Sequence, residues 1–437
     1  MKWLIYTLIL ALFVSSAIAP AFAKGIDVPG DSNGDKIVST EEQKAAEKLS
    51  QEGQITKAQL EEIKNIHENY PKTITDSANQ MVTIYKPIQR AVIAYWIDAA
   101  ITLQALKAED SIIDITAPIA EQQTLFPKLS RLPVVGEIPR VESLDFEKIL
   151  ELEPDVVITG ENASTWDAIQ EKIQSLDPDV AVIRFDYAEP ETYLDEVNKT
   201  GYLFDKKEEA NELIDFIDGH LTQINERVKT IPSDARTTVY YEVFNDYQTR
   251  GAGYIALAGG ANIFENTSQE TFTTNPEEII ARNPEVILHL MGWKYSGKIG
   301  WEADNVTAMR EKRDEIMNRP GFAGIDSVKS GRVYTLASDI VMDAIYPVGI
   351  CYFAKWFYPD LFKDMDPNAI HQEYLSKFLG IDYDHANVVS LCTIQSSIPK
   401  GDSFRREQDE MEYFSFNYSM CSADDWISVR TGNGRSW

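Results

Sequence analysis

Residues 143–158 (SLDFEKILELEPDVVI) and 274–288 (TNPEEIIARNPEVIL) are two copies of one local pattern: a helix-capping residue, a short helix, a proline, an acid and a β-branched run. Proline ends the helix, because the residue before it is pushed out of the helical region. The continuous apolar run that follows suits a strand buried on both faces. A chain carrying this unit twice is constrained to build the same corner twice. Around the first copy, apolar stretches at 82–85, 91–94, 111–115, 156–159 and 180–185 alternate with helical patterns at 98–108, 120–129, 143–152 and 164–176. The same alternation restarts at 237–241 and runs through 286–291 and 332–336. It predicts an α/β chain of two lobes, each a mostly parallel sheet flanked by helices. Duplicate lobes imply a cleft, and open α/β sheets place ligands at strand carboxyl ends.

Between the halves, residues 191–231 hold few glycines and carry apolar positions such as Val197, Leu203, Leu213, Ile217, Ile224 and Val228. Their helical spacing predicts a long interlobe helix, or a short one followed by a long one. The 41 Lys and Arg against 69 Asp and Glu leave a formal charge of −28, which repels phosphate backbones and anionic lipid, so nucleic acid is excluded as a partner. Cys351, Cys392 and Cys421 show no CxxC spacing and encode neither a zinc cluster nor a disulfide framework.

Residues 1–23 have the charged, apolar and small-residue order of a secretory signal cleaved after Ala23, the alternative being a permanent N-terminal anchor. Either places the bulk of the chain outside the cytoplasm, as a secreted, periplasm-like or cell-surface protein.

Residues 31–42 (DSNGDKIVSTEE) put oxygen ligands at the spacing by which a twelve-residue loop wraps Ca²⁺. Asp31, Asn33 and Asp35 would give side-chain oxygens, Ile37 a carbonyl and Glu42 a bidentate carboxylate. Lys36 stands where such loops usually carry glycine. Residues 50–56, with Gln59, read as a degenerate second loop. The paired loops resemble a dockerin or EF-hand module over 24–75, with helices at 41–49 and 57–69 and a linker at 71–76. The competing reading of 39–42 is an acidic helix entry.

With these motifs in place, the chain resembles the substrate-binding proteins of iron-complex ABC importers, which receive ferric siderophores, haem or corrinoids. The resemblance rests on the duplicated unit, on LPVVG at 132–136, LAGGANIF at 257–264, NRPGF at 318–322 leading to VKSGRVY at 328–334, and AKWFYPDLF at 354–362. It implies two Rossmann-like lobes joined by a long helix, of the class III periplasmic-binding-protein type, plus the small α-helical calcium-loop module. The lobes span 76–190 and 232–383, with 384–437 read as an atypical, disordered tail to which no function is assigned. No catalysis is implied. The partners implied are a small-molecule metal chelate, an ABC permease in the membrane and, through the N-terminal module, a cohesin-like or surface protein. Permease docking in that family uses an acid on each lobe; the matching first-lobe position is Ile101, with Asp98 one turn earlier as a substitute.

A bulky chelate needs aromatic planes and a few polar contacts just past the strand ends. In the first lobe the candidates are Tyr95, Trp96, Glu161 and Trp166, and in the second Arg250, Tyr254, Trp293, Tyr295 and Trp301. The loop GWKYSGKIGW at 292–301 is the most suggestive, since glycines let backbone approach a guest and rings stack on it. His289 between two leucines reads as a core residue, so iron is expected only inside a chelate. Two alternatives stand beside this reading: a secreted dockerin-bearing hydrolase, and a calcium-dependent surface adhesion protein.

Overall fold

The computed structural model describes residues 26–392 apart from 138–139, 162–163, 252, 265–270, 293–298, 304 and 382–390. The signal segment 1–23 and the tail beyond Cys392 lie outside the described residues.

In the first lobe, five parallel strands run in the order β5 (Val134–Gly136), β4 (Ile112–Thr116), β3 (Ala91–Ile93), β6 (Val156–Thr159) and β7 (Ala181–Arg184). Every residue of β3 and β6 is buried, as helices on both faces require. The chain builds outward from β3 to β5 and then returns to its other side at β6, so the strand order reverses between β3 and β6. Such a switch point leaves a crevice at the carboxyl ends.

The second lobe centres on β8 (Thr238–Val243), β12 (Val286–Met291) and β13 (Val333–Ala337), all parallel, with β10 (Ala261–Asn262) also parallel to β8. Its edges are antiparallel: β9 (Gln248–Thr249) and β11 (Phe272–Thr273) on one side and β14 (Leu391–Cys392) on the other.

The duplicated unit does the same work in both lobes. Asp145 caps the helix Phe146–Glu151 by accepting from the Lys148 amide, and Asn275 caps Pro276–Arg282 by accepting from Glu277. Each unit then passes through a left-handed residue, Glu153 (φ 43°) or Asn283 (φ 44°), directly before the proline. The acid after the proline ties down the neighbouring central strand. Asp155 Oδ2 accepts from the Gln89 and Arg90 amides at 2.9 Å, and Glu285 Oε2 from the Thr238 amide at 2.9 Å.

The spacer is a short helix, Tyr193–Leu203, and a long one, Lys207–Val228, broken at left-handed Asp205. The two pack so closely that a Cβ on Gly201 would lie 2.4 Å from that of Ala210.

Three local features add to or differ from the sequence expectation. The linker at 71–76 contains strand β1 (Lys72–Thr75), whose alternating burial pairs it antiparallel with β2 (Met81–Ile84), so the 82–85 stretch is outside the parallel sheet. The helices Thr40–Gln51 and Lys57–Asn69 each begin with a capping box, Ser39 with Glu42 and Thr56 with Gln59, as the helix-entry alternative for 39–42 has it. The module is also no free appendage: Val38, Ala46, Ile63 and Ile66 belong to the same buried cluster as Ile84, Ile93 and Ile158.

His289 is a core residue with a polar partner. Its Nδ1 lies 2.7 Å from Glu242, which also takes two bonds from Arg319 at 2.6 and 3.0 Å. Burial would raise the Glu242 carboxyl, but His289 and Arg319 outweigh it and hold it down at about 2.

Candidate functional site between the lobes

The segments that follow the parallel strands of the two lobes meet along one seam. After β3, Trp96 ends the extended chain and Asp98 enters the first turn of the helix Ile97–Ala105, where its Oδ1 accepts from the Ala344 amide of the second lobe at 3.2 Å. Beyond β7, the Ala188 carbonyl faces the Tyr254 hydroxyl at 3.5 Å. The Thr124 amide donates to Glu302 at 2.6 Å, a third bond across the seam.

The first-lobe wall gathers at the switch point. Tyr95 is buried and sits edge-on to Trp166, ring centroids 5.1 Å apart. Gly160 at the end of β6 permits this, since a Cβ there would come within 2.5 Å of Trp166 and 2.6 Å of Tyr95. Trp96 keeps 41 % of its surface exposed, an open aromatic plane beside buried Tyr95 and half-buried Trp166. Glu161 follows Gly160; Arg184 donates to the Gly160 carbonyl at 3.0 Å and pairs with Asp167 at 2.6 Å, which fixes the end of this wall.

On the second lobe, Arg250 and Tyr254 stand together, and the Arg250 Nε is buried without a hydrogen-bond partner. The Tyr254 ring lies 6.0 Å from Tyr346, which in turn meets Tyr193 of the spacer at 5.6 Å. Two expectations need correction here. Trp301 is only 4 % exposed and turns its ring edge to His371 at 6.3 Å, so it is a core ring and not an open stacking face. Asp98, read as the substitute for the docking acid that Ile101 replaces, is buried and cannot meet a partner's surface. Trp293 and Tyr295 lie outside the described residues.

The residue that joins the two walls was not singled out in the sequence. Asp186, directly beyond β7, is the charged neighbour shared by Tyr95 and Tyr254. It follows its strand as Glu161 follows β6, so the strand-end rule applied one strand further would have found it. Burial pushes its carboxyl up to about 7, with Glu189, Glu161 and Glu196 adding repulsion. Asp98 is pushed up to about 8 by burial and then by Asp186. Asp343, beyond β13, is raised by burial and then by Asp98 and Asp339.

At the N-terminal loop, Asp31 accepts from the Asn33, Gly34 and Lys36 amides at 3.1, 2.7 and 2.8 Å, Asn33 from Asp35 at 2.8 Å, and Asp35 from Ile37 at 2.9 Å. Glu42 is held down at about 2 by the backbone and hydroxyl groups of Ser39 and Ser32. Lys36 takes the left-handed turn (φ 67°) and pairs with Asp179 at 2.8 Å, tying the loop to the first lobe. Among the described residues, no three His, Cys, Asp or Glu side chains are grouped to hold a metal ion.

Comparison with known proteins places this geometry. Residues 95–340, more than half of the chain, match the family model described as Periplasmic binding protein. The chain is 26 % identical over 310 residues to the ABC transporter substrate-binding lipoprotein YvrC of Bacillus subtilis (strain 168), covering 68 % of this chain and 88 % of that protein. It is 24 % identical over 352 residues to the molybdate-binding protein MolA of Haemophilus influenzae, covering 72 % and 93 %. The crystal structure of the TroA-like periplasmic binding protein FepB from Veillonella parvula shares the fold, with a TM-score of 0.61 at 24 % identity over 72 % of this chain and 97 % of that one.

The raised carboxyls give a pH prediction. Asp98 and Asp186 hold protons more tightly folded than unfolded, so the stability they confer is full below about pH 4 and is lost as pH rises toward 7 and 8. The ligand-free protein should melt several degrees lower at pH 8.5 than at pH 5.5, and Asp98→Asn should flatten that dependence. Scanning calorimetry reads both, and an unchanged slope in the variant would contradict the assignment.

Proposed function

The chain therefore belongs to the periplasmic binding protein family, the substrate carriers of ABC importers rather than enzymes, and we propose that its cargo is a metal chelate, a ferric siderophore, haem or related complex. What supports this reading is the group of Tyr95, Trp96 and Trp166 at the first-lobe strand ends, in which Trp96 is the open ring, and on the second lobe the buried, unpartnered Arg250 Nε. Aromatic planes with few polar anchors suit a bulky complex more than a small hydrated ion. The name of MolA favours a second reading, an oxyanion, but an aromatic lining with few polar anchors suits a small hydrated anion poorly. The hydrolase alternative falls with the family assignment.

The carrier acts outside the cytoplasm and hands its cargo to a membrane permease. The leader at 1–23 and the lipoprotein relative support that location. No helix among the described residues is long and apolar enough to cross a membrane. With Asp98 and Ile101 buried, docking falls to other surface acids.

For the N-terminal module we keep Ca²⁺ in the 31–42 loop and a cohesin-like or surface partner. An all-oxygen donor set and a Glu42 carboxylate ionised at neutral pH support the cation. Glu42 would have to exchange its Ser32 and Ser39 bonds for the metal, so binding should be weak.

Titrating the intact protein's tryptophan fluorescence with ferric hydroxamates, ferric catecholates, haem and molybdate should give saturable change with one chelate and none with molybdate. Trp96→Ala should weaken that binding about tenfold, the loss of one well-placed aromatic contact. Flat traces for every chelate, or saturation by molybdate alone, would refute the reading.

Calorimetry of the intact chain should show a saturable Ca²⁺ heat, with a dissociation constant of about 0.1–1 mM, that Asp31→Ala abolishes. No heat in the intact chain would remove calcium from the account.

A further inference from the structure

The turn that leads to Arg250 is held in a conformation its own residues do not favour. Between β8 and β9 the chain reverses over residues 244–247, and both Phe244 (φ 62°) and Tyr247 (φ 60°) sit in the left-handed region. An aromatic residue takes that region only where its surroundings over-determine it. Beyond the turn, Thr249 donates to the Tyr241 carbonyl at 2.7 Å and the Arg250 carbonyl accepts from Asn262 at 3.0 Å, so the backbone of Arg250 lies where the turn delivers it. The Arg250 side chain is half-buried with its Nε unpartnered, and its charge acts on Tyr241, Tyr254 and, across the seam, Glu189 of the first lobe.

What over-determines the turn comes from a motif that contributes nothing to the seam directly. NRPGF at 318–322 follows the helix Thr307–Met317 and brings Arg319 and Phe322 to the turn. The Arg319 guanidinium lies 4.6 Å from the centre of the Tyr247 ring, and Phe322 meets the same ring edge-on at 6.3 Å. Arg319 also forks onto Glu242 at 2.6 and 3.0 Å, while Glu242 Oε2 accepts from the Tyr247 amide at 2.9 Å. Its Nη2 reaches Asp246 at 3.1 Å, and Lys312 pairs with the same carboxylate. The Thr274 amide closes on the Tyr247 carbonyl at 2.8 Å. One guanidinium therefore holds the ring of a strained residue, the acid beside it and, through Glu242, its amide. Lysine has no planar fork to divide among these partners.

We propose that Arg319 is a positioning residue for cargo binding: by pinning Asp246 and Tyr247 it holds the strained turn, and the turn sets Arg250 on the wall of the seam. This role rests on the reading of Arg250 as a cargo contact and adds the residue that places it. Arg319 is buried and touches no cargo itself.

The test uses the intact protein and the variants Arg319→Lys, Asp246→Asn and Arg250→Gln, with melting curves to check that each folds. Without cargo, hydrogen–deuterium exchange should show the amides of 244–250 opening about tenfold faster in Arg319→Lys, with those of β12 and β13 unchanged. Asp246 is half exposed, so Asp246→Asn leaves the core intact and should give a smaller rise over the same residues. The second readout is affinity for whichever of a ferric tris-hydroxamate, a ferric tris-catecholate and haem saturates the unsubstituted protein. Arg319→Lys should weaken it as much as Arg250→Gln does, about tenfold, and the double variant should be no weaker than either single one. A purely structural role would lower the melting temperature and leave affinity alone, or add its loss to that of Arg250→Gln. Either result overturns the inference, as does unchanged exchange at 244–250 in both turn variants. If none of the three probes binds the unsubstituted protein, the chelate reading fails, and the exchange at 244–250 decides by itself whether Arg319 holds the turn.

Discussion

The core strands of each lobe run parallel to one another, so all of them end at the same edge of their sheet, and that edge is the seam. The constraint is set at the other end of the strands. Asp155 and Glu285, the acids of the duplicated unit, hold the starts of β3 and β8 through backbone amides. With the starts fixed, the residues beyond the ends fall opposite one another. Asp98 meets Ala344, and Ala188 meets Tyr254. The duplication is therefore a structural device first, and a cleft is its consequence.

What the seam then does follows from placing ionisable groups where water is scarce. Ordinary interiors avoid unpaired carboxyls because desolvation penalises the charged form. Lobe 2 shows the avoided case: Glu242 is buried but surrounded by His289 and Arg319, and stays ionised. The seam shows the opposite. Burial first, and then the acids beside them, raise Asp98, Asp186 and Asp343. Two acid clusters in one chain, one satisfied and one not, separate a structural ion network from a site kept unsatisfied for a guest.

The duplicated corners, the alternation of strands and helices and the interrupted spacer are all written in local periodicity, which is why they could be read in advance. Tyr95, Trp96, Glu161 and Arg250 could be placed beyond strand ends because position after a strand end is also local. Trp301 was misplaced because a glycine-rich aromatic loop looks the same in sequence whether its rings face a cleft or, as with Trp301 against His371, the core. Asp98 was misassigned for a related reason: nothing near it in sequence reveals the amide of Ala344 across the seam. The β1–β2 pair was missed because Lys72–Thr75 is too short to signal a strand without its partner. The capping boxes at Ser39 and Thr56 share their residue types with calcium loops, so spacing alone left both readings open.

The central claim is that both lobes grip one guest across the seam. Hydrogen–deuterium exchange on the intact protein, with and without a saturating ferric chelate, addresses it directly. The account predicts slowed exchange at 95–98 and 184–189 in the first lobe together with 338–346 in the second, while the amides of 57–69 stay as they were. Protection confined to one lobe, or to the N-terminal helices, would contradict it.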